Sequence, residues 1–454
     1  MTSARQPRLP RGFHYLLTGV TVTLTGSQVT VLALPLTAIG LLGAGPFESG
    51  VLLACSRAPY LVCGPIAGVV VDRLPHRPLL IAANTVMALT LATVPLAALT
   101  GHLAMGLLYA VAVVVGTASV LADVAYLSCV PTVVAPSQLV RAQSRLELGH
   151  SVAMALGPPL AGWLIGAFSA PTALLADTAS FVVAAAVLPF VVMSPVEPAI
   201  APETTVPAPT PSGPRRGFIG SVLAEAVEGA LFVLKVAPLR AATLSTGTFI
   251  FCYNAYTAVF LLYLTKRLGF SAGVVGMVLA VGAAGAMAGA LVARPLARLL
   301  GLGRVLVVAV LVSAAGALVT PFFGAPGWTA VAAVAVSQFV LWAGQQVYNV
   351  HQVPLRYTLA PPSLHGRVNA SIRTMVWGLA PLGALLGGIG GAWFGTRATL
   401  LLSGVLSALA TVWIVRSPLW TVRTAQLTPE PAAPAAERDR PTLDAVPATD
   451  ADET

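Results

Sequence analysis

The sequence contains very little charge. Only 9% of its 454 residues are Asp, Glu, Lys or Arg, whereas soluble domains carry about 25%. With 57% hydrophobic residues and a mean hydropathy of +0.85, the chain has too few polar side chains to cover a globule in water. Continuous apolar runs recur along most of its length, and a run of about 20 residues crosses a bilayer as a helix. These features exclude a soluble protein and predict an all-α membrane protein.

The chain also lacks the usual chemistry of enzymes. It has four cysteines, all within or at the ends of apolar segments and none at metal-ligand spacing: Cys55, Cys63, Cys129 and Cys252. We interpret them as inert small residues. The sequence contains no phosphate-binding Gly-Lys loop and no nucleophile–base set. We therefore expect no enzyme activity, no metal and no cofactor. A membrane-embedded enzyme or sensor is the less favoured alternative.

Twelve segments are long and apolar enough to span a membrane. They form two groups of six, separated by a linker. The predicted spans are 14–42, 47–71, 78–99, 103–129, 139–168 and 172–193, then 239–265, 271–293, 304–323, 328–358, 366–393 and 397–416.

Arginines are concentrated in alternate loops of this twelve-span arrangement. The loop after the second span holds Arg73 and Arg77, and the connection after the fourth span, together with the first turns of the fifth, holds Arg141 and Arg145. Loops on the opposite side hold far fewer cations. Since cytoplasmic loops are rich in Lys and Arg, we expect both termini in the cytoplasm. The same loops explain the net charge of +9 without a nucleic-acid partner.

The segments between and after the two groups differ in composition from the spans. The stretch 194–217 holds seven prolines, which is typical of a linker, and 218–236 reads as an amphipathic helix at the cytoplasmic interface. The end of the chain is rich in Pro, Ala, Asp and Glu, which favours disorder. The predicted organisation is 1–13 tail, 14–193 first half, 194–238 linker with helix, 239–416 second half and 417–454 acidic tail.

A charged motif stands between the second and third spans. The pattern is Gly68-x-x-x-Asp72-Arg73-x-x-x-Arg77, and charges cannot lie cheaply in hydrocarbon, so it is a tight turn at the membrane surface. It resembles the loop between the second and third helices of the major facilitator superfamily. Pro75 and His76 stand where that family usually has Gly and Arg.

Further stretches resemble one branch of the superfamily, that of the bacterial enterobactin exporter and the macrolide efflux pumps. They include Leu34-Pro35-Leu36, Leu156-Gly157-Pro158-Pro159-Leu160-Ala161-Gly162 and Pro381-Leu382-Gly383-Ala384-Leu385. The resemblance covers nearly the whole chain. It implies two pseudo-symmetric six-helix halves around a midplane site, and it implies export.

Two of these motifs carry mechanical expectations. In the fifth span, Gly157, Pro158 and Gly162 permit a bend and close packing, and we interpret them as a tight seal between the halves; an ordinary kink is the alternative. In the charged loop, the resemblance places Asp72 near Arg367, which opens the eleventh span. We interpret Gly68, Asp72, Arg73, Arg77 and Arg367 as a conformational latch, against the alternative of a loop that only sets orientation.

The fold of this family implies that the first, fourth, seventh and tenth spans line a central cavity. Polar and aromatic stripes at helical spacing on these spans indicate faces that turn inward, because polar side chains avoid lipid. The alternative is hydrogen bonding and aromatic packing between helices. The candidate cavity residues are Thr21, Thr25 and Gln28; Ser119 and Tyr126; Tyr253, Tyr256 and Phe260; and Gln338, Trp342, Gln345, Asn349 and Gln352. They describe an aromatic pocket for large, flat, amphipathic molecules, cationic ones included.

Three ionisable residues are singled out because they lie within or near the hydrocarbon: Asp123, Arg57 and Asp177. An ionisable group inside a membrane is a functional hypothesis by default. Asp123 is the favoured proton or cation site, because it lies on a cavity helix; structural hydrogen bonding is the alternative. A pair between Arg57 and Asp177 is a further hypothesis.

These features predict a secondary active exporter that moves an amphipathic, drug-like or antibiotic compound out of the cell by proton antiport. A dedicated exporter of a siderophore or self-made metabolite is the alternative. We expect a monomer in the bacterial cytoplasmic membrane. Its partners are a small-molecule substrate, protons and the lipid bilayer, without nucleic acid.

Overall fold

The computed structural model describes residues 9–63, 67, 70, 71, 73–191, 218–361 and 364–421; for residues 136 and 218–226 it describes the backbone alone. Within these residues every regular element is helical. The charged loop is therefore described only in part, and the predicted linker 194–217 and most of both tails lie outside the described residues.

The first half contains six long helices joined by short connections. They are α1 (Arg11–Leu41), α2 (Pro46–Val62), α3 (His76–Leu99), α4 (Met105–Val133), α5 (Leu139–Ala167) and α6 (Ala170–Val187). The fully described connections 42–45, 100–104, 134–138 and 168–169 are too short to cross a membrane, so the helices that each of them joins run in opposite directions.

The second half repeats this arrangement after a surface helix. That helix is α7 (Phe218–Lys235), and the spans are α8 (Ala237–Leu262), α9 (Ala272–Leu300), α10 (Leu302–Val319), α11 (Trp328–Leu359), α12 (His365–Trp377) continued by α13 (Leu379–Trp393), and α14 (Thr396–Ala408) continued by α15 (Ala410–Val415). A π-helical turn, Tyr263–Arg267, extends α8.

Eleven helices in the described part of the chain are long and apolar enough to cross a membrane. The remaining predicted span, 47–71, corresponds to α2, which ends at Val62, and Ala67, Val70 and Val71 beyond it are helical. The all-helical, two-half membrane fold predicted from the sequence is thus confirmed.

The eleventh span differs from the sequence prediction because it is interrupted. α12 ends at Trp377 and α13 begins at Leu379. Pro381 has no backbone N–H and its ring disfavours the carbonyl four residues earlier, which belongs to Trp377. The proline therefore explains why the helix breaks at this point.

We call the side where α1 begins and α15 ends the terminus face, and the opposite side the distal face. The two halves meet along two helix pairs, α2 with α13 and α5 with α9. The close contacts described for these pairs begin at the distal ends of the helices, at Pro46 with Gly391 and at Gly162 with Ala272. The halves are therefore closed against each other toward the distal face.

Candidate functional site

A cavity of about 300 Å³ lies between the two halves. Most of its wall comes from α1, α2, α4 and α8. Four other helices each supply one side chain, and these are Leu91, Asp177, Leu279 and Gln338. Apolar groups dominate the wall. A concave apolar site with a few polar groups is the usual form of a small-molecule site.

α8 supplies an aromatic wall to this cavity. Tyr253, Tyr256 and Phe260 all line it, as their spacing on the seventh span predicts. Tyr256 stacks on Phe260 with ring centroids 5.1 Å apart, and Tyr253 meets Trp342 edge to face at 5.6 Å. The hydroxyl of Tyr256 donates to Thr320 Oγ1 at 3.1 Å and accepts from Gln338 Nε2 at 3.4 Å. These contacts hold the rings in place.

The face of α1 that lines the cavity differs from the predicted one. Ser27, Thr30, Val31 and Leu34 line it, whereas the predicted stripe packs against α5. Gln28 Nε2 lies 3.4 Å from Met154 Sδ, and the missing side chain of Gly149 leaves room for Thr21. The hydroxyl of Thr25 donates to the Thr21 carbonyl at 2.8 Å. The hydroxyl of Thr25 therefore has a hydrogen-bond partner in its own helix and does not need a polar partner in the cavity.

The fourth and tenth spans follow the prediction in part. Ser119 lines the cavity, but Tyr126 turns toward α3, where its hydroxyl accepts from Asn84 Nδ2 at 3.3 Å. On α11, Gln338 lines the cavity and Trp342 lies beside it, against Tyr253.

The remaining residues of the α11 stripe lie outside the cavity wall. Gln345 is buried and Asn349 half-buried in the helix packing. Gln352 Oε1 accepts from Arg356 Nη2 at 2.9 Å, and Arg356 Nη1 donates to Asn369 Oδ1 at 3.3 Å. The terminus-face end of the stripe is thus a polar link between α11 and α12, which is the helix-packing alternative.

Asp177 is a buried carboxylate on the cavity wall. Only 1% of its surface is exposed. Its Oδ2 accepts from Thr30 at 2.5 Å and its Oδ1 from Ser180 at 2.8 Å. The missing side chain of Gly26 makes room for this cluster, since a Cβ there would lie 2.5 Å from Asp177 Oδ1. The hydroxyls that hold Asp177 come from α1 and α6.

Asp123 lies nearer the terminus face and is exposed. Tyr60 on α2 donates a hydrogen bond to its Oδ2 at 3.2 Å, and Tyr60 also packs near Trp377 on α12, with ring centroids 6.3 Å apart. Arg373 and His150 lie within electrostatic range of the carboxylate. Asp123 therefore belongs to a polar cluster that draws on both halves.

Several residues of this site were missing from the sequence-based candidates: Ser27, Thr30, Tyr60, His150 and Arg373. Arg373 and His150 are ionisable residues inside predicted spans, and such residues are a signal for a functional site that the sequence offers. Ser27 and Thr30 fit helical spacing as well as the chosen stripe did, so spacing could not separate them.

The Gly-Pro motif of α5 lies at the contact between the halves. A Cβ on Gly162 would lie 2.6 Å from the carbonyl oxygen of Ala272 and 3.1 Å from Cα of Gly273. The carbonyl of Pro158 packs against Gly276, and Gly157 packs against Gln28 within its own half. Backbone therefore meets backbone across this seam, as close packing of small residues permits.

The proposed latch is only partly described. Gly68 and Asp72 lie outside the described residues, and Arg73 is exposed. Arg77 donates to the carbonyl of Pro189. Arg367 forms an ion pair with Glu228 of α7 at 2.8 Å, a partner that the sequence did not predict. The pair links the surface helix to the start of the eleventh span.

The family follows from a comparison with family models. The model described as Major Facilitator Superfamily matches residues 16–357 and, in a second match, residues 242–443. The chain belongs to the Major Facilitator Superfamily. It is therefore a multi-pass membrane transporter for small molecules and not an enzyme. No curated protein sequence matches the chain significantly.

Solved structures of other transporters share this superfamily fold. A bacterial homologue of the iron transporter ferroportin, in its inward-facing state, aligns with a TM-score of 0.68 and 17% identity over 90% of this chain and 100% of that one. The transporter PepTSo of the POT family aligns at 0.68 and 12% over 90% and 98%. The nucleoside transporter NupG aligns at 0.66 and 12% over 89% and 98%. At these identities the likeness concerns the fold alone.

Proposed function

We propose that this protein is a secondary active exporter that carries an amphipathic organic compound, drug-like or antibiotic, out of a bacterial cell in exchange for protons. The terminus face is then cytoplasmic, as the arginine distribution predicts. The observation that carries the proposal is the apolar and aromatic cavity between the halves, which holds Arg57 and Asp177 in its wall.

The seam supports loading from the cytoplasmic side. The halves are sealed where α5 meets α9 and where α2 meets α13. The exposed side chains of Asp123, His150 and Arg373 lie on the other side of the cavity, nearer the terminus face. A cargo molecule enters there, and rocking of the two halves then opens the distal side.

Asp123 is the proposed proton site. It is exposed on that side, and its described hydrogen bond comes from Tyr60, so its carboxylate is free to exchange protons with water. Asp177 is held by two hydroxyls and is almost fully buried, which makes it the weaker candidate. Coupling by protons also agrees with the lack of an ATP-binding loop in the sequence.

The charged loop and Arg367 are proposed to act as a latch on the terminus face in the outward-open state. Arg367 is bound to Glu228 in this state. For the latch to close the terminus face, Arg367 must therefore leave Glu228 or pair with Asp72 and Glu228 together. Unchanged state populations in the Asp72→Ala variant would contradict the latch.

The first test is proton release from inverted vesicles when dyes, macrolides, tetracyclines or siderophores are added. We expect a compound-dependent pH response in the wild type that is lost in Asp123→Asn. Glu147→Gln is the matched control, because Glu147 is an exposed carboxylate on α5, and it should keep the response.

A response that survives in Asp123→Asn would remove Asp123 as the coupling site. A response to siderophores alone would favour the dedicated exporter. No response to any compound from folded protein would count against drug export.

A further inference from the structure

Arg57 places a permanent positive charge in the wall of the cavity. It lies on α2, roughly 16 Å from the distal end of the helix at 1.5 Å per residue, so it is deep inside the membrane. The hydroxyls of Tyr60 and Tyr253 are within electrostatic range of it. The guanidinium therefore shares the cavity wall with these two tyrosines.

Arg57 has no counter-ion among the residues that the structure describes. Its Nε is buried without a hydrogen-bond partner, and the side chain as a whole is half-buried. The two carboxylates of this region have other described partners: Asp177 accepts from Thr30 and Ser180, and Asp123 accepts from Tyr60. An uncompensated charge at this depth is costly, so a partner from outside the chain is expected.

The rest of the cavity defines the shape of that partner. The aromatic wall of α8 offers flat surfaces for stacking, and Leu52, Val111 and Leu261 cover other sides. A volume of about 300 Å³ is at the lower end of small-molecule sites, and it suits a body of two or three fused rings.

We propose that the cargo of this site is a flat aromatic amphiphile with one anionic group, a carboxylate or sulfonate, that Arg57 binds. A guanidinium fits such groups with two parallel hydrogen bonds, while the ring body stacks on Tyr253 and Tyr256. This inference rests on the proposed function and narrows its cargo from amphipathic compounds in general to anionic ones.

The test uses three anthracenes with the same ring body and a different group at position 9, which is anionic, neutral or cationic: 9-anthracenecarboxylate, 9-anthracenemethanol and 9-(aminomethyl)anthracene. Binding to purified protein in nanodiscs is measured by fluorescence anisotropy, with empty nanodiscs as the background. We expect the wild type to bind the carboxylate at least about tenfold more tightly than the alcohol or the amine, since one charge-assisted pair is worth about a tenfold step or more.

Variants of Arg57 assign this preference to the guanidinium. Arg57→Gln should bind all three compounds within about twofold, and Arg57→Lys should keep part of the preference. Arg298→Gln is the control for the loss of one positive charge, because Arg298 is exposed at the terminus-face end of α9; it should behave as the wild type.

Equal or weaker binding of the carboxylate by the wild type would overturn the inference, as would an unchanged preference in Arg57→Gln. If that variant does not fold, the charge series on the wild type and on Arg57→Lys decides the matter. Failure of the proposed export can be told apart from failure of the anion site. A carboxylate that binds through Arg57 but is not transported contradicts the proposed export. Transport of neutral compounds without any anion preference contradicts the anion site alone.

Discussion

Gly50 on α2 and Gly388 on α13 lie backbone to backbone across the seam between the two halves. A Cβ on Gly50 would lie 2.6 Å from Cα of Gly388, and a Cβ on Gly388 would lie 2.8 Å from Cα of Gly50. No flexible side chain separates the two helices there, so an added methyl group cannot be accommodated by a rotamer change. The helices must move apart.

Gly50→Ala should therefore shift the protein toward a state that is open on the distal face. Overpacking costs about 1–3 kcal/mol, which corresponds to a shift of about 5- to 150-fold in a two-state equilibrium. The measurement is the labelling rate of Ser56→Cys, a cavity residue, by an impermeant maleimide from the distal side in a cysteine-free background. Labelling should be several-fold faster.

Gly40→Ala is the control for this experiment. Gly40 lies at the distal end of α1, and a Cβ there meets nothing within 4 Å. It should label at the wild-type rate. Wild-type labelling in Gly50→Ala would show that the contact does not hold the seam closed.

Gly162→Val should let protons leak through the protein across the α5–α9 contact between the halves. A side chain at Gly162 collides with the backbone of Ala272 and Gly273 on α9, so the α5–α9 seam opens without cargo. In proteoliposomes with an imposed pH gradient, the variant should dissipate the gradient faster than the wild type.

The neighbouring glycine of α5 provides the comparison. Gly166 lies one turn further on, and a Cβ at this position would have no neighbouring atom within 4 Å, so Gly166→Val should hold the gradient. If the pH gradient decays equally fast in both variants, the leak comes from adding a valine to α5 and not from opening the contact between α5 and α9.

Thr30→Val should destabilise the protein more than Thr25→Val does. Thr30 donates to the buried Asp177, and an unsatisfied buried group costs about 1–3 kcal/mol. Thr25 bonds only the backbone of its own helix among described partners, so its loss should cost less than about 0.5 kcal/mol. Thermal unfolding in detergent micelles measures the difference. The reverse order would show that the assigned face of α1 is wrong.

Apolar packing should hold α7 on α12 more strongly than the ion pair does. Val233 is fully buried beside Val368, Ile372 and Val376, so Val233→Ala should cost about 1–3 kcal/mol and speed hydrogen exchange in α7. Glu228→Gln should cost less than about 1 kcal/mol, because Glu228 and Arg367 are 56% and 40% exposed and water screens the pair.

Val227→Ala is the matched control on the same helix, since Val227 is 55% exposed. It should leave both the melting temperature and the exchange rate unchanged. A larger effect from Glu228→Gln than from Val233→Ala would reverse the proposed order of the two interactions.

The sequence by itself determined that this protein lies in a membrane and crosses it with helices. Apolar runs of membrane length and scarce charges leave few alternatives, because every backbone polar group in hydrocarbon must be bonded within a helix. The aromatic stripe of α8 was also predictable. Tyr253, Tyr256 and Phe260 share one face at helical spacing, and all three line the cavity.

Only the tertiary structure decided which face of α1 meets the cavity. Thr21, Thr25 and Gln28 have the same spacing as residues on the true face, and helical spacing shows that residues share a face without showing what that face contacts. The neighbouring helices decide which face of α1 meets the cavity. α5 covers Thr21 and Gln28, whereas Thr30 lies at the cavity wall and donates to Asp177 there. The partners of Arg367 and the isolation of Arg57 were likewise decided by packing between segments far apart in the chain, which no local pattern encodes.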